Sequence, residues 1–149
     1  MAHDFIKFPE LTNQQMELYY FESPHKQITE DFRAQVIKVT DGDTIRVICE
    51  FRDFDFPIRF LDINAPEMNE ERGKEVRDWL SNQILNEEVE ILITDNRVDK
   101  WGRLLGKIFH RGMDLGQIMM ILGLATKFEN RAEGNLPNIN KELSVEKWL

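Results

Sequence analysis

The chain has 149 residues, a formal net charge of −8 and 42% hydrophobic residues. This length and apolar content predict one folded domain with its own core, and they exclude a disordered chain or two full domains. No apolar run approaches the roughly 20 residues that cross a bilayer, and the start lacks the basic and apolar regions of a secretory signal. We therefore expect no membrane association and a cytoplasmic location.

The negative charge is unevenly distributed along the chain. Residues 1–31 carry half of the net charge, whereas basic residues cluster in "NRVDKWGR", where Arg97, Lys100 and Arg103 lie close in sequence. An acidic protein is not a typical nucleic-acid binder, because such binding usually depends on Lys and Arg neutralising phosphates. A local positive site on an acidic domain stays compatible with this composition.

Residues 11–24 predict a short helix in an N-terminal arm that spans residues 1–31. Thr12 and Gln15 form the pattern of a capping box, and Pro24 ends the helix. The simpler interpretation is that Tyr19 and Tyr20 cover one end of the domain. The alternative is a lid, or a docking arm for a protein partner.

From Phe32 onward, apolar residues alternate with polar ones. This alternation predicts five short strands, at 32–40, 44–51, 56–63, 88–94 and 103–109. Cys49 is in phase with the apolar positions of the second strand, so we interpret it as part of the core.

Two stretches have helical periodicity. The first, 69–85, begins at Asn69 as a candidate N-cap and presents Val76, Trp79, Leu80 and Ile84 on one face; the second, 113–123, begins at Asp114, presents Leu115, Ile118, Met119 and Leu122, and ends at Gly123. In the tail, Leu143 and Trp148 hint at a last helix. Residues 32–149 therefore predict an α+β domain, a five-stranded Greek-key barrel of the OB type with two to three helices, whose groove commonly holds nucleic acid.

The stretch "VTDGDTIRV", residues 39–47, places Asp41, Gly42 and Asp43 between two predicted strands. A turn needs only one Asp and one Gly, so Asp41 is interpreted as structural and Asp43 is surplus to the turn. We place Asp43 one residue inside the next strand, a position that suits a ligand for a hard cation. A simple turn remains the interpretation of this motif taken alone.

Two further stretches add groups of complementary chemistry. "IRFLDINAPEMN" places Arg59 in a strand and Asn64, Ala65 and Glu67 after it, and "DKWGR" places Arg103 at the start of the fifth strand. A carboxylate and an amide oxygen suit a cation, a second carboxylate suits a base, and two guanidinium groups suit an anionic transition state. These are the groups that metal-assisted cleavage of a phosphodiester requires.

The three motifs, in this order, resemble the staphylococcal nuclease (thermonuclease) family. The resemblance runs from about Ala34 to Ala125 and includes "RGMDLGQIMMILGLA", which is similar to the second helix of that family. It implies one calcium ion bound by Asp43 and Asn64, with the backbone carbonyl of Ala65 assisting.

The same resemblance implies the roles of the remaining residues. Arg59 and Arg103 would stabilise the transition state, and Glu67 would orient or deprotonate the attacking water. Trp101 stands where the family has an aromatic residue beside the nucleotide, and Lys100 would meet a phosphate. The implied products carry 5′-hydroxyl and 3′-phosphate ends.

The chain departs from the family in three places. Asn64 stands where the best-known members have Asp, so we expect weaker calcium binding. The tyrosines that hold the nucleotide in the family have no counterpart after "GLA", where only Phe128 is aromatic. The tail is shorter than the family's third-helix region, and residues 1–31 match nothing in the family.

The resulting hypothesis is a calcium-dependent nuclease of DNA or RNA that prefers single-stranded or breathing substrate. The alternative is an OB module that binds nucleic acid or a protein partner without cutting it. In a third hypothesis, the acidic arm folds over the groove and restrains activity. The sequence indicates no oligomeric state.

Overall fold

The computed structural model describes residues 3–128. The three α-helices are α1 (Asn13–Tyr19), α2 (Gly73–Ile84) and α3 (Leu115–Ile121), and a 3-10 turn, Tyr20–Glu22, follows α1. The eight strands are β1 (Phe32–Asp41), β2 (Thr44–Cys49), β3 (Arg52–Phe60), β4 (Ile63–Asn64), β5 (Glu88–Leu92), β6 (Leu104–His110), β7 (Met113–Asp114) and β8 (Thr126–Lys127). Within the described residues, no helix is long and apolar enough to cross a membrane.

Five strands close into a barrel. Their order is β3-β2-β1-β5-β6, with antiparallel neighbours, and a parallel pairing of β3 with β6 joins the two ends of the sheet. The short strand β7 extends β6, while β4 and β8 form a separate two-stranded sheet. The predicted five-stranded α+β barrel of the OB type is therefore confirmed.

The core fills the inside of this barrel. Alternate residues of the strands, among them Val36, Val47, Ile58 and Ile108, have no exposed surface. Helix α2 adds Val76, Leu80 and Ile84, which are also fully buried, with Trp79 packed against the core at its edge. The apolar face predicted for this helix is confirmed, because residues at helical spacing share one side.

Several boundaries differ from the prediction. Strand β3 begins at Arg52, four residues earlier than expected, because Arg52 is buried. Helix α2 begins at Gly73 with no side-chain cap, so Asn69 is not its N-cap. In α3 the Asp114 cap is confirmed, with Leu115 and Met119 buried and Ile118 packed against the core, but Leu122 is half exposed because it lies at the helix end.

The second strand also ends differently. It stops at Cys49, where the pairing with β3 is irregular, and Phe51 lies outside it. Cys49 is half-buried and packs against the core, as expected for core filler. Burial raises the pKa of the Cys49 thiol. The predicted helix containing Leu143 and Trp148 lies outside the described residues.

The N-terminal arm contacts the barrel through the segments that flank α1. The capping box of Thr12 and Gln15 is confirmed, but α1 has no buried residue and Phe21, just after it, is almost fully exposed. The interpretation that Tyr19 and Tyr20 cover one end of the domain is therefore wrong, since Leu11 and Ile28, on either side of the helix, are the buried residues.

A buried ion cluster joins the arm to the barrel. Glu10 pairs with Arg52 of β3 and with Arg97, whose Nη2 lies 3.2 Å from Glu10 Oε2. Arg97 also donates to the carbonyls of Leu11 and Ile28, at 2.9 and 2.8 Å. Burial lowers the pKa of the Arg97 guanidinium, and Glu10 opposes this shift. Arg97 therefore connects the arm to the barrel from a buried position. It does not contribute to the exposed basic cluster that the sequence predicted.

Candidate active site

The turn between β1 and β2 consists of Gly42 and Asp43, so Asp43 precedes the strand in which it was predicted to lie. Its carbonyl nonetheless accepts a hydrogen bond from the Phe60 amide at 2.9 Å, which fixes the turn against β3. A Cβ on Gly42 would lie 2.7 Å from side-chain atoms of both Ala65 and Val76. Because glycine has no Cβ, the turn can pack closely against both the chain after β4 and helix α2.

The Asp43 carboxylate is nearly buried, and it accepts hydrogen bonds from several neighbouring groups. Oδ2 accepts from the Ala65 amide at 2.9 Å and from Arg59 Nη2 at 3.3 Å, and Oδ1 accepts from the Thr44 hydroxyl at 3.2 Å. These contacts hold both oxygens in place. Ala65 thus reaches Asp43 through its amide, whereas the role implied for it concerns its carbonyl.

Arg59 connects the two predicted cation ligands. Its Nη2 donates to Asp43 Oδ2 and, at 3.2 Å, to Asn64 Oδ1, while Nη1 donates to the carbonyls of Phe60 and Ile63. The Arg59 side chain is only 11% exposed. One nitrogen therefore lies within 3.3 Å of a carboxylate oxygen and an amide oxygen.

Asp41 lies beside this group and has a shifted pKa. Its Oδ1 accepts from the Asp43 amide at 3.1 Å, which confirms its structural role in the turn. Burial, followed by interaction with the neighbouring Asp43 carboxylate, raises the pKa of Asp41 to about 6. Negative charge is concentrated at this turn, which is an environment that favours a cation.

Glu67 lies in an exposed turn that leads into α2. Its carbonyl accepts from the Glu70 amide, and its amide donates to Glu70 Oε1, both at 2.8 Å. A Cβ on Gly73 would lie 1.9 Å from the Glu67 carbonyl oxygen, so the glycine permits this turn to touch the helix start. Within residues 3–128, no hydrogen bond joins the Glu67 carboxylate to Asp43 or Arg59, so the structure does not bring this residue into the group.

The loop before β6 is organised by Asp99. Its Oδ1 accepts from the amides of Trp101 and Arg103, both at 2.9 Å, and its Oδ2 accepts from Arg103 Nε at 2.8 Å. Gly102 adopts a positive φ of 85°, which the turn requires. The Trp101 ring is 63% exposed, and the Lys100 ammonium lies 5.1 Å from its centroid.

The parallel pairing of β3 with β6 describes how Arg59 and Arg103 lie relative to each other. Ile58 pairs with Leu104 and Arg59 with Leu105 in the parallel β3–β6 ladder. Arg103 was predicted to begin the fifth strand, but β6 begins one residue later, at Leu104, so Arg103 lies in the loop that leads into the strand paired with the strand of Arg59. The structure therefore brings together Asp43, Arg59, Asn64 and Ala65, and it places Lys100, Trp101 and Arg103 in the loop before β6.

Phe128 contacts Arg59, and the sequence did not predict this contact. Its ring lies 5.3 Å from the Arg59 guanidinium carbon, and its amide donates to the Asp62 carbonyl at 2.7 Å. The pairing of β8 with β4 produces this contact. Its only sequence signal was that Phe128 is the one aromatic residue where the family has its tyrosines.

The donor set fits a hard cation. Asp43 Oδ2 and Asn64 Oδ1 already converge on one positively charged group, and hard divalent cations prefer such oxygen ligands. In the part of the chain that is described, no group of three or more His, Cys, Asp or Glu side chains is arranged for a metal.

Comparisons with known proteins identify the family. A family model described as "Staphylococcal nuclease homologue" matches residues 57–147, which is more than half of the chain. The chain belongs to the staphylococcal nuclease family.

The chain is similar to several bacterial proteins. A micrococcal nuclease of Shigella flexneri is 35% identical over 79 residues, which are 53% of this chain and 43% of the relative. An uncharacterized endonuclease of Escherichia coli O157:H7 is 29% identical over 119 residues, 78% of this chain and 75% of the relative. Protein ParB of Escherichia coli is 30% identical over 79 residues, which are 53% of this chain and 42% of the relative. The chain therefore spans less than half the length of two of these relatives.

Proposed function

We propose that the protein is a divalent-cation-dependent nuclease that hydrolyses phosphodiester bonds of DNA or RNA. The observation that carries the proposal is the position of Arg59, whose Nη2 donates to both Asp43 and Asn64 and whose strand pairs with β6, the strand that Arg103 directly precedes. A binding module has no chemical need for cation ligands beside two guanidinium groups. Family membership and the nuclease names of two relatives support the same activity.

The cation site consists of Asp43 and Asn64, with Ala65 assisting through its backbone. Calcium is the proposed cation, because a carboxylate, an amide and a carbonyl are oxygen ligands of the kind it prefers. When bound, a divalent cation supplies Lewis-acid polarisation of the phosphoryl group and positions a water.

The two arginines neutralise the charge that develops on the phosphate. A guanidinium group donates two parallel hydrogen bonds to phosphate oxygens and stays charged at any working pH. Arg59 is held rigidly by two carbonyls, and Arg103 by Asp99, so their positions are fixed before substrate arrives. Such preorganised charge lowers the barrier, because little reorganisation is needed in the transition state.

Glu67 is the proposed base that orients or deprotonates the attacking water. Its turn is fixed by Glu70 and by the close approach of Gly73, while its carboxylate stays exposed. An exposed carboxylate can reach a water on the substrate side of the site, and apo geometry commonly tightens when substrate binds.

Trp101 and Lys100 are the proposed substrate-binding residues. An exposed indole offers a stacking surface to an unpaired base, and the adjacent ammonium suits a phosphate. Unpaired bases are accessible only in single strands or breathing duplexes, so these are the proposed substrates. In this scheme residues 32–149 carry the nuclease domain, and residues 1–31 form an arm on it.

The test is incubation of the purified protein with denatured DNA in calcium or in excess chelator. We expect cleavage only with the divalent cation, and 5′-hydroxyl and 3′-phosphate ends by end-labelling. Equal cleavage in chelator would rule out the mechanism. Other divalent cations at the same concentration identify whether calcium is preferred.

The second candidate function is binding without cleavage. It is favoured by the neutral amide at Asn64 and by the fact that both arginines already have carboxylate partners. A protein that binds the strand in calcium and leaves it intact, at enzyme concentrations above substrate, would establish this alternative.

A further inference from the structure

A groove lies next to the candidate active site, between the N-terminal arm and the barrel. It measures about 300 Å³, and Ile6 and Lys7 of the arm form one side. Arg46 and Pro57 of the sheet form the floor, and Trp101 and Arg103 form the other side. Ligand pockets begin at about this volume, so the groove is large enough for one nucleotide unit and too small for a duplex.

The floor is continuous with the active site through strand register. Arg46 pairs with Pro57, and Thr44 pairs with Arg59 two residues further along the same two strands. Pro57 and Arg59 project from the same face of β3, as residues two apart do in a strand. The groove therefore borders the strand segment that carries Arg59 and also includes Arg103.

The arm side of the groove is held in place. Asp4 Oδ1 accepts from the amides of Ile6 and Lys7, both at 3.1 Å, and the Phe8 amide donates to the Asp4 carbonyl. Phe8 lies against Gly102, where a Cβ would approach the ring to 2.6 Å. The arm thus contacts the loop that carries Trp101 and Arg103, and it presents Ile6 and Lys7 outward.

The charges of the groove fit an anionic strand. Both acidic residues that line it already have arginine partners: Glu10 pairs with Arg52 and Arg97, and Asp55 with Arg46 at 2.6 Å. Lys7 has no ion pair among residues 3–128 and is exposed. The arm therefore lines this groove with a paired carboxylate, Glu10, and with one exposed ammonium, Lys7, that forms no ion pair within the described residues.

We propose that the arm is part of the substrate-binding surface, and that Lys7 contacts a phosphate of the single strand one nucleotide beyond those held at Arg59 and Arg103. Ile6, which is 97% exposed, and Trp101 provide apolar surface for the intervening base. The inference rests on the proposed nuclease function for the identity of the strand. It assigns the arm a positive role in binding, in contrast to a lid that restrains activity.

Lys26 is a matched control. It is an exposed lysine of the same arm, and its ammonium lies 4.9 Å from the Phe51 ring, as that of Lys7 lies 5.5 Å from Phe8. Phe51 lines a separate surface depression, bounded by β1 and β2, and not the groove. Lys7→Glu and Lys26→Glu therefore change the net charge equally and differ only in location.

The experiment is fluorescence anisotropy with a fluorescein-labelled oligonucleotide of eight thymidines, in chelator and at several salt concentrations. We expect Lys7→Glu to weaken binding about tenfold and to lower the slope of log affinity against log salt by about 0.7, which is the loss of one phosphate contact. Lys26→Glu is expected to bind like the wild type, apart from a small shift common to all charge changes. Circular dichroism of both variants verifies that they are folded.

Two outcomes would overturn the inference: equal effects of the two substitutions, or tighter binding by Lys7→Glu, which would indicate a restraining arm. The measurement requires no cleavage, so it is independent of the calcium test above. A wild type that never cuts but shows the Lys7 effect would refute the nuclease and retain the groove.

Discussion

Asn64 is the residue at which the candidate cation site has one charge fewer than the family pattern implies. Its Oδ1 is oriented by Arg59, so a carboxylate at this position would keep the same oxygen in place. We expect Asn64→Asp to tighten calcium binding about tenfold, because a partly solvated charge pair contributes about 1 to 4 kcal/mol. Calorimetric titration measures the affinity.

Asn13 provides the control for this substitution. Its Oδ1 also accepts from an arginine, Arg97 Nη1 at 3.0 Å, but it lies on the arm at α1. Asn13→Asp is expected to leave calcium affinity unchanged. Unchanged or weaker affinity in Asn64→Asp would remove Asn64 from the ligand set.

Arg103 tests the contribution of guanidinium geometry at constant charge. Arg103→Lys keeps a cation but loses the planar fork that donates to Asp99 and that is proposed to bind phosphate. We expect the single-turnover rate to fall about a hundred- to a thousandfold, the usual effect of removing one preorganised donor. Arg33→Lys, in an exposed pair with Glu88, should retain the wild-type rate. A normal rate in Arg103→Lys would make Arg103 a surface residue without a catalytic role.

At the scale of elements, the start of α2 and the Glu67 turn depend on each other through Gly73. Alanine is the better helix former, but its Cβ would meet the backbone carbonyl of Glu67, which has no freedom to rotate away. We expect Gly73→Ala to lower the free energy of unfolding by about 1 to 3 kcal/mol. The measurement is urea denaturation.

The matched control is a glycine in open space. Gly112 has a positive φ of 79° and no atom within 4 Å of its added Cβ. Gly112→Asn should change stability little, because asparagine tolerates this conformation. A Gly73→Ala variant as stable as the wild type would show that the turn moves without cost, and that it does not fix Glu67.

Local sequence patterns predicted most of the helices and strands, because these elements are determined by residues close together in the sequence. Alternation placed the barrel strands, and Thr12 and Asp114 were recognised as caps from the residues that follow them. The start of β3 was missed because Arg52 resembles a loop residue until Glu10, 42 positions away, neutralises it. The cap predicted at Asn69 was wrong because α2 begins four residues later, at Gly73, whose amide donates to the Glu70 carbonyl.

The residues of the candidate site likewise fall into those that the sequence predicted and those that it did not. Asp43, Arg59 and Asn64 meet because a two-residue turn and one strand pairing determine their positions, and both are visible in the sequence. Lys7 and Arg46 gave no such signal, because the groove that they line forms between segments distant in the chain. The position of the Glu67 carboxylate depends on an exposed side chain, which no pattern determines, so its role stays a prediction.

At the scale of the whole molecule, the buried ion cluster determines whether the arm belongs to the folded unit. Removing one partner from a buried pair leaves uncompensated charge, which typically costs about 3 to 5 kcal/mol. We expect Glu10→Gln to lower the free energy of unfolding by that amount, since Arg52 and Arg97 both lose their carboxylate. Denaturant unfolding followed by tryptophan fluorescence measures it.

Glu88→Gln is the control, because its pair with Arg33 is largely exposed and contributes at most about 1 kcal/mol. If Glu10→Gln were no more destabilising than Glu88→Gln, the arm would be an appendage that the barrel does not require. The groove would then lack a fixed wall, and the binding effect of Lys7→Glu would also be absent.

The span of the ion cluster has a consequence for the order of folding. Glu10 and Arg97 are 87 residues apart, whereas the Asp43 and Ala65 contact closes over only 22. Contacts of low sequence separation form faster on refolding, so the Asp43 turn should assemble before Glu10 reaches its distant partner Arg97. Pulsed hydrogen exchange should protect the Phe60 amide, bonded to the nearby Asp43, before the Ile93 amide, bonded to Asp31 of the arm 62 positions away. A refolding molecule would then form the turn that carries Asp43 before it fixes the arm that forms one wall of the groove.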